Sequence, residues 1–224
     1  MNVSVVIPVL NEALKIEAVI ESTRAQSPLE IVVVDGGSDD STVARAAGAD
    51  LILQSAPGRA AQQNFGASKC VGDVILFLHA DCHLGFGAIS ELAAVMQDET
   101  VVGGSFQQRI DDSSTIYRLV ERGNNMRAQW CKWAYGDQGI FVRRSVFESL
   151  GGFREIPFME DLLLSKQLKR YGKVTQLEST VTTSARHWQK RGVVRQTLMN
   201  WWLITLLHCG VSPNRLAKFC PAVR

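Results

Sequence analysis

Apolar residues in the first hundred positions fall into short unbroken runs separated by stretches of helical spacing. Val3 to Val9 (VSVVIPV), Ile31 to Val34 (IVVV) and Val74 to Leu78 (VILFL) are continuous apolar segments, and Leu51 to Gln54 adds a shorter one. Runs of this length are too short for helices of their own and suit strands buried on both faces. Between them, Leu14, Ile16, Val19 and Ile20 recur at helical spacing, and Ala60 to Cys70 reads as a second helix. Strands alternating with helices predict an α/β chain with a mostly parallel central sheet and helices on both faces.

Further along, Ile89 to Met96 reads as helix, Val101 to Ile110 as a strand in which Gly103 and Gly104 allow close backbone contact, and Ser114 to Arg127 as helix. Tyr135 to Arg144 (YGDQGIFVRR) combines glycines, an acid and an apolar run, which suggests a second approach to a cleft. Leu162, Leu163, Leu164 and Leu168 give helical spacing as far as Tyr171. From Lys190 to Val211 a basic start leads into an apolar helix carrying Trp201 and Trp202. That helix has two readings: packing on the rest of the chain or a second subunit, or lying in a membrane interface.

The polar residues that end the runs change the picture. Asn11 and Glu12 follow the first strand, Asp35 with Gly36 and Gly37 follows the second, and His79, Ala80 and Asp81 follow the central one. Ligands of open α/β sheets sit beyond the carboxyl ends of the strands. One such corner is commonly a helix cap. Three in succession point to a shared ligand site. Glu160 and Asp161 begin a helix, where the dipole favours acids in any case.

A chain of 224 residues with net charge +2 offers no general surface for nucleic acid, so no nucleic-acid partner is expected. Residues 1–189 are expected to form the main domain, and 190–224 a helical extension packed on it. Five cysteines without a CxxC pair indicate neither a zinc ribbon nor a disulfide framework and fit a reducing compartment. The N-terminal MNVSVVIPV enters a strand directly, and no uncharged apolar stretch reaches the ~20 residues of a spanning helix. A cytoplasmic protein is expected, with peripheral contact at the inner face of a membrane left open.

VVIPVLNE, IVVVDGGSDDST, FLHAD and MED occur in the order and rough spacing of inverting family 2 glycosyltransferases, which the chain resembles over essentially its whole length. GRAAQQNFGA, GDQGIFVRR and ARHWQKRG resemble most a bacterial branch labelled as arsenosugar-biosynthesis glycosyltransferases. The resemblance implies a GT-A fold and transfer of a sugar from a nucleotide donor, a UDP-sugar as first choice, to a free acceptor hydroxyl. It implies that Asp35 binds the nucleotide base, with Pro8, Asn11, Glu12 and Gly36 forming the pocket beside it. Asp81 matches the last acid of a DxD-like triplet that holds a divalent cation, Mn2+ or Mg2+, and Asp161 matches the general base.

Two departures stand out. The triplet's first acid is replaced by His79, which either ligates the cation, contacts phosphate or packs. His187 stands where the branch usually has an arginine. Arg186 and Arg191 are left as candidate diphosphate clamps, Arg59 as a further phosphate contact at a helix start, and Trp188 on the acceptor side. His83 is read as structural. A sugar nucleotidyltransferase or a dinucleotide dehydrogenase would carry a glycine-rich loop after the first strand, which PVLNEALK is not. A non-catalytic nucleotide-sugar binder stays open at this point.

Overall fold

The computed structural model describes residues 1–219, and the side chains of His187, Lys190, Arg191 and Lys218 lie outside the described residues. The strands are β1 Val3–Val9, β2 Glu30–Asp35, β3 Leu51–Gln54, β4 Val74–Phe77, β5 Cys82–Leu84, β6 Val101–Asp111, β7 Ile140–Arg143 and β8 Lys173–Ser184. They form one sheet in the order β3-β2-β1-β4-β7-β6-β8-β5. Among the described residues only β7 and β5 run against the rest, so the sheet is mostly parallel.

The helices are α1 Ile16–Arg24, α2 Thr42–Arg45, α3 Arg59–Ala67, α4 Ala88–Val95, α5 Thr115–Cys131, α6 Arg144–Ser149, α7 Glu160–Leu168, α8 Arg186–Arg191, α9 Val193–His208 and α10 Pro213–Leu216. They explain why the strand runs are apolar without alternation. Val5, Ile7, Val9, Ile31, Val33 and Leu76 enter one core with Ile16 and Val19 of α1 and Leu92 of α4. Val6, Val32, Val34, Ile75 and Phe77 enter the opposite core with Ala60 of α3, Phe147 of α6 and Leu164 of α7. Both faces of the sheet are therefore dry, and each fully buried valine or isoleucine contributes roughly 1.5–3 kcal/mol.

Several elements differ from the sequence expectation, among them strand β5 and helix α6, which it did not include. Helix α5 runs about a turn beyond Arg127, α7 stops at Leu168, and β8 was not anticipated. The side chains of β8 are largely polar, and register shifts against β6 blur its period of two. Gly104 does allow a close backbone approach, since any side chain there would overlap the carbonyl oxygen of Thr175 on β8. At the C-terminal end, Leu203 of α9 and Leu216 of α10 form a small separate core with Met159 and Leu162. This core seats α9 beside the start of α7.

Candidate active site

Strands β2, β1 and β4 are parallel neighbours, with Val9 opposite Asp35 and Val6 opposite Phe77. Their polar ends therefore lie side by side along one edge of the sheet. Gln62 of α3, which the sequence reading passed over, ties two of these ends together. Its buried amide donates to the carbonyls of Val9 and Val34, both at 2.8 Å.

The first corner is rigid. Asp35 is fully buried and accepts the N–H of Gly37 at 3.0 Å, the N–H of Ser38 at 3.1 Å and the Ser38 hydroxyl at 2.5 Å. Asn11 takes the left-handed conformation with φ 56, which asparagine tolerates better than most residues. Its N–H reaches Ser38 Oγ at 2.9 Å, and its Oδ1 accepts from the N–H of Asp39 at 3.0 Å. The N–H of Glu12 donates to Thr42 Oγ1 at 2.8 Å. Pro8 sits half-buried on β1 opposite Val34, and the N–H of Gly36 donates to Val9 at 3.0 Å. The structure thus brings Pro8, Asn11, Glu12, Asp35 and Gly36 into one corner. Asp35 also performs the local turn-capping that its sequence context allowed.

One arginine closes on this corner and a second stands among the acids of the neighbouring one. Arg186 of α8 lies 3.7 Å from Glu12, whose pKa is raised by burial and lowered in part by Arg186. Arg59 opens α3 and lies 3.5 Å from Glu160, and it interacts electrostatically with Asp161, Asp137 and Asp81 as well. The Arg191 side chain lies outside the described residues.

The second corner holds the metal candidates. His79 Nε2 is buried without a hydrogen-bond partner. Burial, then Arg59, push the imidazole pKa down to about 3 against the opposing pull of Asp81, so the ring is neutral. One ligand atom from each of His79, Asp81 and Cys82 lies within 4.8 Å of the others. Burial, then Asp81 and Asp137, push the Cys82 thiol well up, so it keeps its proton. Lys15 Nζ stands 3.7 Å from Asp81. His83 faces elsewhere, 3.0 Å from Ser22 Oγ on α1, in keeping with a structural role.

Asp161 stands across Gly136 from His79. Its Oδ2 accepts the N–H of Gly136 at 2.7 Å and its Oδ1 accepts the N–H of Leu162 at 2.6 Å. A side chain at Gly136 would overlap the His79 ring and come within 3.4 Å of Asp161 Oδ2. Glycine is what lets the two approach. Glu160 points differently: it is 3 % exposed, and burial, then Asp161, raise its pKa to about 7 against the pull of Arg59. Met159, just before the pair, is a buried non-glycine residue with φ 65, a conformation costing about 1–2 kcal/mol.

The turn after Tyr135, which the sequence reading took as a second approach to the cleft, supplies an acid to which that reading gave no role. Asp137 Oδ2 accepts from Gln108 Nε2 at 2.6 Å, while its Oδ1 is buried without a partner. Burial is the main cause that lifts its pKa to about 6, with Arg127 opposing and Asp161 adding. Only the acid inside a GDQG string could have signalled it. Trp188 is buried beside Tyr117 and lines a cleft together with Tyr135, Asp137, Thr197 and Asn200.

Residues 4–151 match the model of glycosyl transferase family 2. This chain belongs to glycosyltransferase family 2. Over 170 residues it is 30% identical to Glycosyltransferase AglE of Haloferax volcanii, covering 67% of this chain and 55% of AglE. It therefore spans about half the length of that relative. The mannosyltransferase PcManGT from Pyrobaculum calidifontis, solved with GDP-Man and Mn2+, superimposes with TM-score 0.70 at 20% identity, over 90% of this chain and 60% of PcManGT. Glucosyl-3-phosphoglycerate synthase from Mycobacterium tuberculosis, solved with Mn2+, UDP and glucosyl-3-phosphoglycerate, gives TM-score 0.56 at 19% identity, over 82% of this chain and 70% of the synthase. These likenesses show the GT-A fold, and the family 2 glycosyltransferase is an enzyme.

Proposed function

We propose that this family 2 glycosyltransferase moves a sugar from a nucleoside diphosphate donor, a UDP-sugar as first choice, to an acceptor hydroxyl with inversion, and that a divalent cation assists. The observation that carries the reading is that Gly136 brings Asp161 up to His79, which itself stands beside Asp81 at the carboxyl edge of β4. A buried imidazole nitrogen without a partner, beside a carboxylate, fits a metal ligand better than a packed side chain. His79 and Asp81 would hold the cation, and a nitrogen-containing set suits Mn2+ better than Mg2+. When bound, such an ion offsets negative charge on a departing diphosphate. Mn2+ in both solved relatives supports the same reading.

The roles of this chain's residues follow from their positions. Asp161, held by two backbone N–H groups, takes the acceptor proton as the acceptor oxygen bonds to the anomeric carbon. The carbon–oxygen bond to the diphosphate breaks on the opposite face, and its electron pair leaves with the phosphate oxygen. Arg59 and Arg186 exchange their carboxylate partners Glu160 and Glu12 for diphosphate oxygens, with Arg191 as a third clamp. Asp35 exchanges part of its turn bonding for the base, in the pocket formed by Pro8, Asn11, Glu12 and Gly36.

Residues 1–189 are read as the catalytic domain and 190–224 as an extension that covers its acceptor side. After Glu178 the sequence has seven basic residues, Arg186, Lys190, Arg191, Arg195, Arg215, Lys218 and Arg224, and no acid. Val194, Leu198, Trp201 and Trp202 form an exposed apolar stripe on α9. Apolar stripe and positive charge together favour an anionic bilayer surface over a second subunit as the partner of this face. No helix among the described residues is long and apolar enough to cross a membrane. The inner face of a cytoplasmic membrane is the location this reading favours. GRAAQQNFGA, GDQGIFVRR and ARHWQKRG support placement in the arsenosugar-labelled branch, which leaves the acceptor open.

The test is a thermal-shift panel of nucleotides and nucleotide sugars with and without Mn2+, followed by assay of nucleoside diphosphate release. A donor at a hundred times its Kd stabilises by ~2.7 kcal/mol. Stabilisation by no nucleotide under either condition overturns the reading.

A further inference from the structure

Three side chains that line a single cleft each carry a buried polar atom without a hydrogen-bond partner. The atoms are Tyr135 Oη, Asp137 Oδ1 and Thr197 Oγ1, and all three residues line the space between α5, the Gly136–Gln138 turn and α9. Burying a polar group without a partner is unfavourable, so three around one space indicate a site built for something that hydrogen-bonds there. The space measures about 30 Å3, room for a water or one hydroxymethyl group. Trp188 supplies an apolar wall.

The charges around the cleft select its guest. Arg127 also lines it, but its guanidinium already donates to the Trp133 carbonyl at 3.1 Å, to Asn124 at 2.9 Å and to Gln138 at 3.0 Å. The same guanidinium lies over the Tyr135 ring at 3.8 Å. Three of the five N–H groups of Arg127 are thus engaged in holding the turn. The open oxygen of Asp137 accepts from a hydroxyl and repels an anion, while the hydroxyls of Tyr135 and Thr197 both donate and accept. The cleft also adjoins the proposed base, because Gly136, next to Asp137, donates to Asp161 Oδ2 at 2.7 Å.

We propose that this cleft is the acceptor subsite and that it takes an uncharged, hydroxyl-bearing edge, as of a sugar or polyol, rather than a phosphate. The assignment rests on the transferase reading for its name, but its ligand chemistry is measurable without any donor. Saturation-transfer NMR on the full chain, with methyl α-glucoside, methyl α-mannoside and glycerol set against glucose 6-phosphate and glycerol 3-phosphate, tests it. At least one neutral probe should bind the wild type, and Tyr135→Phe and Thr197→Val should each weaken it about three- to tenfold. Neither variant should lower Tm, since each removes a hydroxyl that has no partner in the fold. The proposal is overturned if no neutral probe binds, if both variants bind as well as wild type, or if both lose Tm. It is also overturned if a phosphorylated probe binds more tightly and loses that affinity in Tyr135→Phe. A failed nucleotide panel would leave these outcomes unaffected.

Discussion

The ammonium of Lys15 lies 3.7 Å from the carboxylate of Asp81, and its nitrogen is buried with no hydrogen-bond partner. Lysine therefore supplies charge to Asp81 and little else, at the position where the proposed cation would bind. The two cations compete. Partly exposed pairs of this kind are worth at most about 1 kcal/mol, so Lys15→Met should tighten Mn2+ binding roughly two- to fivefold by calorimetry. Unchanged or weaker binding would show that Lys15 and the ion do not share Asp81.

Glu160 makes stability depend on pH. Its folded pKa of about 7 lies above the usual 4.5. Between these values the folded chain binds more protons at this site than the unfolded chain, so raising pH from 4.5 through 7 removes stability. Glu160→Gln lacks that penalty. Its unfolding free energy should gain on wild type as pH rises from 5 to 8, by on the order of 1 kcal/mol or more. A gap that stays constant with pH would contradict the buried-acid account.

Chelation should abolish transfer, and Mn2+ should restore it. His79→Ala should raise the Mn2+ concentration needed for half-maximal activity, because the lost ligand is neutral nitrogen rather than carboxylate charge. Full activity in excess EDTA would rule out the cation, and an unchanged Mn2+ titration would place His79 in a packing role.

The basic, tryptophan-bearing C-terminal sequence should bring the chain to anionic liposomes in flotation, with release at high salt as charge is screened. A protein that stays at the bottom of the gradient while dimerising with rising concentration would assign that segment to a second copy instead.

Much of the fold was readable because both faces of the sheet are covered. IVVV and VILF are apolar throughout, and parallel order follows from their alternation with helices. Strand β8 was not readable, because its edge-side neighbour is the short β5 and its side chains stay half-exposed and polar. Within the candidate site, Asp35, Asp81 and Asp161 were visible as acids at strand or helix ends. Asp137 was visible only as the acid of YGDQGIFVRR, without a role, and Gln62 not at all, since their roles come from hydrogen bonds to residues 28 to 53 positions away. Tertiary packing sets such partners, and local pattern is silent about them.

The division of labour between Asp161 and its neighbours can be measured directly by single-turnover transfer, with nucleotide affinity determined in parallel, for Asp161→Asn, Glu160→Gln and Asp81→Ala. Removing a general base typically lowers rate 10²- to 10⁴-fold. Asp161→Asn should fall by that factor and keep its nucleotide affinity, Glu160→Gln should stay within about tenfold of wild type, and Asp81→Ala should lose both rate and cation-dependent donor affinity. Transfer by Asp161→Asn within about tenfold of wild type, or loss of transfer in Glu160→Gln alone, would contradict the assignment of Asp161 as the base.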